Sequence, residues 1–240
     1  MRVSRLYTET RLENNATIAL TDEQAHYLGR VLRAKVGQVV VLFNGDDGEY
    51  QGEVIAVDKR SVQIQLADKP SAQPESLYPV HIGLGLSKGE RMDFAVQKAT
   101  ELGVTAITPL FTEHSEVKLN KERAEKRRLH WQKIAINACE QSGRCSIPTI
   151  HSPLALGAWL DSVPEGQGFM LDHQGLAGFN IDRPPAAYLL IGPEGGISEA
   201  EKAAATQAGL QSIRLGPRVL RTETAPVVAL TAIQIVWGDF

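Results

Sequence analysis

Gly192, Gly195 and Gly196 surround an acidic residue, Glu194, in the stretch LLIGPEGGISEAEKAAA at residues 189–205. An apolar run, a glycine-rich turn and a helix-forming run in this order predict a loop that offers backbone groups to a ligand at the end of a strand. Phosphate is disfavoured, because Glu194 would meet it at close range and no GK[ST] motif follows to offset the acidic charge. A ligand with positive charge and no phosphate fits better, and S-adenosylmethionine, with its sulfonium and ammonium groups, is one. The alternative is a turn that only reverses the chain.

A second loop repeats this plan in IRLGPRVLRTETAPVVALTAIQIVW, residues 213–237. A short apolar run precedes a glycine-containing loop, and Thr224 and Pro226 mark the start of a helix. Successive strand ends of one parallel sheet can lie side by side, and the two loops would then form two walls of one pocket. Arg221 and Glu223 would lie beside it, although a solvated ion pair is the alternative for these two side chains.

Two different hydrophobic patterns along the chain predict the domains that position these loops. Runs of period two, such as QVVVLF at 38–43 and EYQGEVIAV at 49–57, predict a small antiparallel β-domain over residues 1–70. Three prolines in KPSAQPESLYP indicate a linker at residues 71–79. From 80 to 240, apolar strands alternate with helical segments, which predicts an α/β domain whose parallel sheet is covered on both faces. Ser198 and Glu201 have the spacing of a capping box for the helix after the first loop.

Composition limits the partners that the chain can have. It has 240 residues, 43% of them hydrophobic, and a formal net charge of −3 at pH 7, so only a local basic patch could attract nucleic acid. We find no signal peptide and no apolar run of membrane length, and we expect a cytoplasmic protein with no membrane partner. The six histidines and two cysteines have no metal-binding spacing, and we predict no metal. No GxSxG elbow is present, which disfavours serine hydrolysis.

A basic helix is the strongest candidate for an RNA-binding surface. Between Lys118 and Lys133 seven Lys or Arg stand against two Glu, and apolar residues at helical spacing around Trp131 predict that the basic side chains point outward. The alternative is a charged face that is only solvated. The predicted RNA contacts are Lys121, Arg127 and Arg128 on this helix, and Arg2, Arg5, Arg30 and Arg33 on the β-domain.

The last helix indicates a second subunit. From Ala225 to Trp237 only Thr231 and Gln234 are polar, so the helix has almost no side that favours water. We predict that the sheet covers one face and that a second copy covers the other, which makes the protein a homodimer. A deeply buried helix of a monomer would have the same sequence pattern.

These two C-terminal motifs resemble a known family. LLIGPEGGIS (189–198) followed by LGPRVLRTETA (215–225) is similar to the SPOUT-class RNA methyltransferases, and specifically to the bacterial 16S ribosomal RNA (uracil-N3)-methyltransferases. The resemblance covers nearly the whole chain in order. It continues in HYLGRVLR (26–33), SKGERMDFAVQKATELGV (87–104), ITPLFTEHSEVKL (107–119) and WQKIAINACEQSGR (131–144).

The resemblance implies a fold that the patterns above cannot show. A small PUA-like β-barrel would precede an α/β SPOUT-type methyltransferase domain, in which a parallel sheet contains a deep trefoil knot. It also implies an obligate homodimer, S-adenosylmethionine bound in a bent form at the knot, and 16S ribosomal RNA within the small ribosomal subunit as the substrate.

By position, the resemblance also implies which residues contact the cofactor. FMLDHQ (169–174) would supply a third wall, but it departs from the Leu-His-Pro more usual in the family, so we expect His173 to be a surface residue. The implied contacts are Leu190, Ile191, Gly192, Glu194, Gly195 and Gly196 in the first loop, and Leu215, Gly216, Leu220, Arg221, Glu223, Thr224 and Ala225 in the second.

The chemistry that the resemblance implies needs an anion-stabilising group. Methylation of uracil N3 requires loss of the proton on that nitrogen, and negative charge then develops on the carbonyl oxygens. Our hypothesis assigns the stabilising role to Arg221 or Arg144, with Glu223 positioning the base or accepting the proton. Two alternatives are a SPOUT enzyme that acts on another RNA site, such as a ribose oxygen, and an RNA-binding module without activity.

Overall fold

The computed structural model describes residues 3–58, 61–68, 70–71, 78–179 and 182–240. The chain forms two compact units, which are described separately. One comprises Met1–Ser76 and Cys139–Ile147, and the other comprises Leu77–Ala138 and Pro148–Phe240. The segment Cys139–Ile147 thus belongs to the first unit, although it lies inside the range 80–240 that the sequence pattern groups as one α/β domain.

The first unit is built on a five-stranded sheet with the order β1-β3-β4-β5-β2. Three of its strand pairs are antiparallel, as predicted, but β1 and β3 pair in parallel. A short helix, α1 (Asp22–His26), continues into a π-helical turn at Tyr27–Val31. The strands are β1 (Ser4–Tyr7), β2 (Thr17–Thr21), β3 (Val39–Phe43), β4 (Glu49–Val57) and β5 (Ser61–Leu66).

The second unit is an α/β domain with a seven-stranded sheet. Its strand order is β12-β10-β11-β6-β7-β8, with β9 also paired to β7, and every pair is parallel. The strands are β6 (Val80–Gly85), β7 (Ala106–Phe111), β8 (Thr149–Ile150), β9 (Leu154–Ala155), β10 (Gly168–Ala177), β11 (Ala187–Ile191) and β12 (Gln211–Arg214). The helices are α2 (Glu90–Glu101), α3 (Lys121–Ser142, of which residues 139–142 belong to the first unit), α4 (Leu156–Leu160), α5 (Glu199–Gln207) and α6 (Ala225–Trp237).

Apolar side chains cover both faces of this sheet, because successive residues of a strand point to opposite sides. In β11, Leu189 and Ile191 belong to the apolar cluster that includes residues of α2, α3 and α6. Leu190, between them, belongs to the cluster that includes residues of α4 and α5. Helices therefore lie on both faces, as the alternation of strands and helices predicts.

The strands that precede the two glycine-containing loops are not neighbours. β10 lies between β11 and β12 in the sheet. The prediction that the two strand ends lie side by side is therefore wrong, because a strand that comes earlier in the chain separates them. β10 therefore lies between the two glycine-containing loops and can contribute residues to a site that they form.

Candidate active site

The carboxyl ends of β11 and β12 and the middle of β10 border one cavity of about 610 Å³. Residues of the loop after β11, the loop after β12 and the middle of β10 line it. Small-molecule sites are clefts of roughly 300–1,000 Å³, and in open α/β sheets they lie at this end of the strands. The cavity thus has both the size and the place of a ligand site.

The glycine-rich loop is held close to the end of β6. A Cβ atom at Gly85 would collide with Pro193, so the loop can cross this strand only because position 85 is glycine. Gly196 has a φ of +73°, in the left-handed region that favours glycine. The predicted capping box of α5 is confirmed: Ser198 Oγ accepts from the Glu201 backbone N–H at 3.3 Å, and Glu201 Oε2 accepts from the Ser198 N–H at 3.1 Å.

A carboxylate joins the glycine-rich loop to α2. Glu194 Oε1 lies 2.8 Å from Arg91 Nη1 and accepts from the Lys88 backbone N–H at 3.4 Å. Burial alone would raise the pKa of Glu194, but its own backbone N–H, Arg91, Lys88 and Ser87 outweigh that effect and lower it. The acid inside the loop is therefore ionised at neutral pH, and a guanidinium balances its charge.

The loop after β7 packs on the other side of the glycine-rich loop. Glu113 donates its backbone N–H to Glu201 Oε1 at 2.8 Å, so Glu201 binds this loop and the start of α5 at once. His114 Nδ1 lies 2.9 Å from the Gly195 carbonyl oxygen. Residues that follow β6 and β7 thus hold the glycine-rich loop from both sides.

The loop after β12 places Arg221 and Glu223 in the cavity wall. Arg221 is exposed and Glu223 is half-buried, and no ion pair joins these two described side chains. α6 begins at Ala225 with Pro226 in its first turn, as predicted, although the Thr224 hydroxyl does not cap it. Both functional groups can therefore meet a molecule that enters the cavity.

β10 supplies the third wall through Leu171, Asp172 and His173. The Asp172 side chain is only 9% exposed, and its Oδ2 lies 3.3 Å from Lys202 Nζ. Burial would raise the pKa of Asp172, but the Gln174 backbone N–H and the Lys202 ammonium outweigh it and lower the pKa. His173 is 60% exposed, in agreement with the surface position expected for it.

Most residues that the family resemblance places at the cofactor line this cavity. Leu190 does not, because its side chain is fully buried among α4 and α5 residues, and Thr224 is not part of the lining either. The predicted residues that do line it are Ile191, Gly192, Glu194, Gly195, Gly196, Leu215, Gly216, Leu220, Arg221, Glu223 and Ala225.

Several charged lining residues were not predicted. Arg91 reaches the cavity from α2 and Lys202 from α5, and Arg214 and Arg218 flank the predicted residues of the last loop. Arg218 lies within the quoted motif LGPRVLRTETA, so the sequence offered a signal for it. Lys202 stands four residues after the capping serine of α5, and nothing in its local sequence sets it apart from a solvated lysine.

Arg144 is not part of the cavity lining. It belongs to the first unit, is only 8% exposed, and its carbonyl oxygen accepts from Arg5 Nη2 at 2.9 Å. Of the two arginines considered for catalysis, Arg221 alone lines the cavity.

The predicted RNA-binding arginines and lysine differ in exposure. A surface position is wrong for Arg5, whose side chain is 11% exposed and donates to Glu49 Oε2 and to the Cys139 carbonyl oxygen, both at 2.6 Å. Arg2 lies outside the described residues. Arg128 is half-buried and bound to Glu125 at 2.6 and 2.9 Å. The fully exposed members are Arg30, Arg33, Lys121 and Arg127.

Among the described residues, no group of three or more His, Cys, Asp or Glu side chains could hold a metal ion. No helix in the described part of the chain combines the length and apolarity that crossing a membrane requires.

Two family models match the chain and divide it between them. Residues 73–234 match the model described as an RNA methyltransferase domain, and residues 20–67 match an RNA methyltransferase PUA domain. The first match contains every residue of the cavity lining.

Similar proteins cover the full length of the chain. The ribosomal RNA small subunit methyltransferase E of Buchnera aphidicola is 36% identical over 99% of this chain and 98% of its own. A Legionella pneumophila methyltransferase, solved in complex with bound S-adenosylmethionine, is 37% identical with a TM-score of 0.95 over 100% of both chains. The small subunit methyltransferase E of Neisseria gonorrhoeae, solved bound to S-adenosylmethionine, is 34% identical with a TM-score of 0.91 over 100% of both.

Proposed function

This chain belongs to the RNA methyltransferase family whose members include the relatives named ribosomal RNA small subunit methyltransferase E, and from this membership we propose that it methylates N3 of a uridine in 16S ribosomal RNA. The chain is an RNA methyltransferase that uses S-adenosylmethionine. We propose four further points: methylation at N3, a substrate within the small ribosomal subunit, a homodimer, and the identity of the catalytic residues.

The observation that carries the proposal is the cavity bordered by β10, β11 and β12. Both motifs that resemble the uracil-N3 methyltransferases line it, although 16 residues lie between Ile197 and Arg214 and only Lys202 and Ile213 among them line the cavity. Its apolar lining suits an adenine ring, and its glycine-rich loop leaves backbone groups for the polar part of a nucleoside. No described lysine follows the glycines at P-loop spacing, which fits a cofactor without phosphate. The apolar members of the lining include Leu171, Ile191, Ile197, Ile213, Leu215 and Leu220.

When bound, S-adenosylmethionine supplies an electrophilic methyl group on a positively charged sulfur. Transfer forms a bond between N3 and the methyl carbon and breaks the bond between that carbon and sulfur, while the N3 proton leaves to a base. The cavity's part is to hold both reactants together, a contribution worth up to about 7–11 kcal/mol. Contacts that hold the loops in place support this contribution, because misplacement of the methyl donor relative to uracil N3 would lose most of it.

Arg221 and Glu223 supply the electrostatic part of this mechanism. The Arg221 guanidinium stabilises the negative charge that develops on a uracil carbonyl oxygen as N3 loses its proton. Glu223, two residues further on and in the same cavity wall, accepts that proton. Exchange of glutamate for glutamine tests this assignment, because glutamine keeps the shape and hydrogen bonding of the side chain but cannot act as a base.

The exposed basic residues support binding to RNA. Arg30 and Arg33 in the first unit, and Lys121 and Arg127 on α3, offer cations to water. The overall charge of −3 gives no such attraction, so these local groups would supply the contacts to phosphate. A substrate in the small ribosomal subunit also places the enzyme in the cytoplasm.

The outer face of α6 supports a homodimer. Its two polar residues have partners within the chain: Gln234 Nε2 donates to the Leu102 carbonyl oxygen at 3.0 Å, and Thr231 Oγ1 donates to the Val227 carbonyl oxygen of the same helix at 2.8 Å. Ile235 and Val236 are 64% and 53% exposed. Exposed apolar side chains on one helix are typical of a subunit interface, and a second copy of this face would cover them.

Methyl transfer from labelled cofactor tests the proposed function. Small ribosomal subunits and free 16S RNA, both from a strain that lacks the modification, are incubated with the protein, and the labelled nucleoside is isolated and mapped. We expect 3-methyluridine at one position. Label on a ribose oxygen would contradict the N3 assignment, and cofactor binding without transfer to either substrate would indicate an RNA-binding module.

A further inference from the structure

β10 contains a bulge that turns residues into the cavity. Leu171 and Leu176 both pair with Ile213 of β12, so the four residues between them, 172–175, are extra on the β10 side. Gly175 makes the bulge possible, since a Cβ atom there would lie 2.7 Å from the backbone of β12. Bulges are common beside active sites, where they redirect a side chain. The first residue that this bulge redirects is Asp172.

The Asp172 carboxylate is buried and charged. Its side chain is 9% exposed, and a buried carboxylate needs partners to stay ionised. Oδ1 accepts from the Gln174 backbone N–H at 3.1 Å and lies 3.3 Å from His173 Nδ1, and Oδ2 lies 3.3 Å from Lys202 Nζ. A carboxylate has about four acceptor sites, so these three partners leave about one site, on Oδ2, for a hydroxyl donor of a ligand.

Lys202 holds the carboxylate in place from a different element. It lies on α5, the helix that begins directly after the glycine-rich loop, and it also contacts Glu199 at 3.0 Å. The Lys202 side chain is 20% exposed, whereas that of Glu199 is 90% exposed. The ammonium is therefore fixed between two acids, and of these only Asp172 lines the cavity.

The register of the sheet places Asp172 beside the glycine-rich loop. Met170 of β10 pairs with Leu190 of β11, two residues before Asp172 and Gly192 respectively, and both Asp172 and Gly192 line the cavity. Dinucleotide-binding folds hold ribose hydroxyls with an acidic side chain that lies beside a glycine-rich loop, and Asp172, at the start of the bulge in β10, has a comparable place. Glu194 is less suited to this role, because it is 34% exposed and already bound to Arg91.

We propose that the Asp172 carboxylate accepts a hydrogen bond from a ribose hydroxyl group of the adenosine moiety bound in this cavity, with Lys202 as the positioning residue. The inference rests on the proposed function, in that the ligand is an adenosine derivative. It assigns to Asp172 the recognition of ribose over deoxyribose. A carboxylate is a charged acceptor for a hydroxyl group, whereas the backbone N–H groups of the glycine-rich loop are uncharged donors.

Affinities for S-adenosylhomocysteine and its 2′-deoxy and 3′-deoxy analogues, measured by calorimetry, test the proposal. Because hydrogen bonds to a charged acceptor are strong, we expect the wild type to bind at least one deoxy analogue about tenfold more weakly, or worse. In Asp172→Asn this ratio should fall to within about threefold, by the same reasoning. Asp161→Asn, the same change at an exposed residue after α4, should keep the wild-type ratio.

The ratio is taken within each variant, so a partly unfolded sample does not change it. Lys202→Met alone should weaken S-adenosylhomocysteine binding. The same change added to Asp172→Asn should have no further effect, because the two residues act as one unit. Equal wild-type affinities for all three ligands, or a full ratio in Asp172→Asn, would overturn the inference and leave the proposed function intact. A wild type that binds none of the three would overturn both.

Discussion

Glu194 Oε1 lies 2.8 Å from Arg91 Nη1, and this pair joins the glycine-rich loop after β11 to the first turn of α2, which follows β6. The acid that the sequence places among three glycines is thus part of the support of the loop. Exclusion of phosphorylated ligands by Glu194 stays a prediction, and the pair shows that its charge does not stand alone in the cavity. Arg91, whose guanidinium is 46% exposed, is the residue that balances it.

Replacement of Glu194 by Gln should lower stability in a pH-dependent way. The pKa of the folded-state carboxyl lies below its ordinary value of 4.5, so its contribution is complete above about pH 4.5 and is lost as pH falls through the lower, folded-state pKa. The pair is partly exposed, and we expect a difference of less than about 1 kcal/mol at pH 7. Thermal unfolding of both proteins from pH 3 to 7 measures it; a difference that grows toward low pH would contradict the assignment.

Arg5 should stabilise the first unit. Its guanidinium contacts Glu49 and the carbonyl oxygens of Cys139 and Arg144, and loss of one partner of a buried ion pair costs about 3 kcal/mol or more. Arg5→Met should therefore speed hydrogen exchange of the β1 and β3 amides. Arg11→Met is the matched control, because the Arg11 and Glu13 side chains are 80% and 61% exposed, and its effect should stay within about 0.5 kcal/mol. Equal effects of the two substitutions would contradict a structural role for Arg5.

The contrast between Arg5 and the strands shows what local sequence can predict. Period-two runs predicted β3, β4 and β5, and the alternation of strands and helices predicted the parallel sheet. Arg5 was placed on the surface because its local sequence resembles that of any exposed arginine. Its partner Glu49 is 44 residues away and Cys139 is 134 residues away, and no local pattern contains such contacts.

The sequence predicted those parts of the site that lie in loops directly after a recognisable strand. Glycines and caps marked the loops after β11 and β12, and the family resemblance supplied most of the lining. The position of β10 between these strands and the bulge at residues 172–175 depend on long-range pairing, so Asp172 and Lys202 were not predicted as a pair. The trefoil knot stays a prediction, because it concerns the path of the chain through a loop.

RNA binding should depend on salt, and neighbouring arginines on α3 should differ. Arg127 is exposed, whereas Arg128 is bound to Glu125 through two hydrogen bonds. Each phosphate contact contributes about 0.9 to the slope of log affinity against log salt concentration. Arg127→Ala should reduce this slope by about 1, and Arg128→Ala should reduce it less. The slope is obtained by titrating 16S RNA at several salt concentrations, and an unchanged slope in Arg127→Ala would remove this residue from the interface.

The outer face of α6 should control the oligomeric state. Ile235→Glu places a charge in the proposed interface, where burial of an unpaired carboxylate is unfavourable, and we expect a monomer in sedimentation velocity. Val36→Glu makes a similar change at a residue that is 65% exposed in the first unit and should leave a dimer. If Ile235→Glu sediments like the wild type, the interface lies elsewhere or does not form.

Single-turnover methyl transfer at saturating cofactor and RNA tests most directly whether this cavity performs the reaction. The variants are Arg221→Ala and Glu223→Gln, with Glu165→Gln as the control, since Glu165 is exposed before β10 at the opposite edge of the sheet. General-base and electrostatic contributions are each worth about a hundredfold or more, so we predict that both cavity variants lose at least that factor while the control keeps the wild-type rate. Wild-type rates in Arg221→Ala and Glu223→Gln would contradict the assignment of the reaction to this cavity.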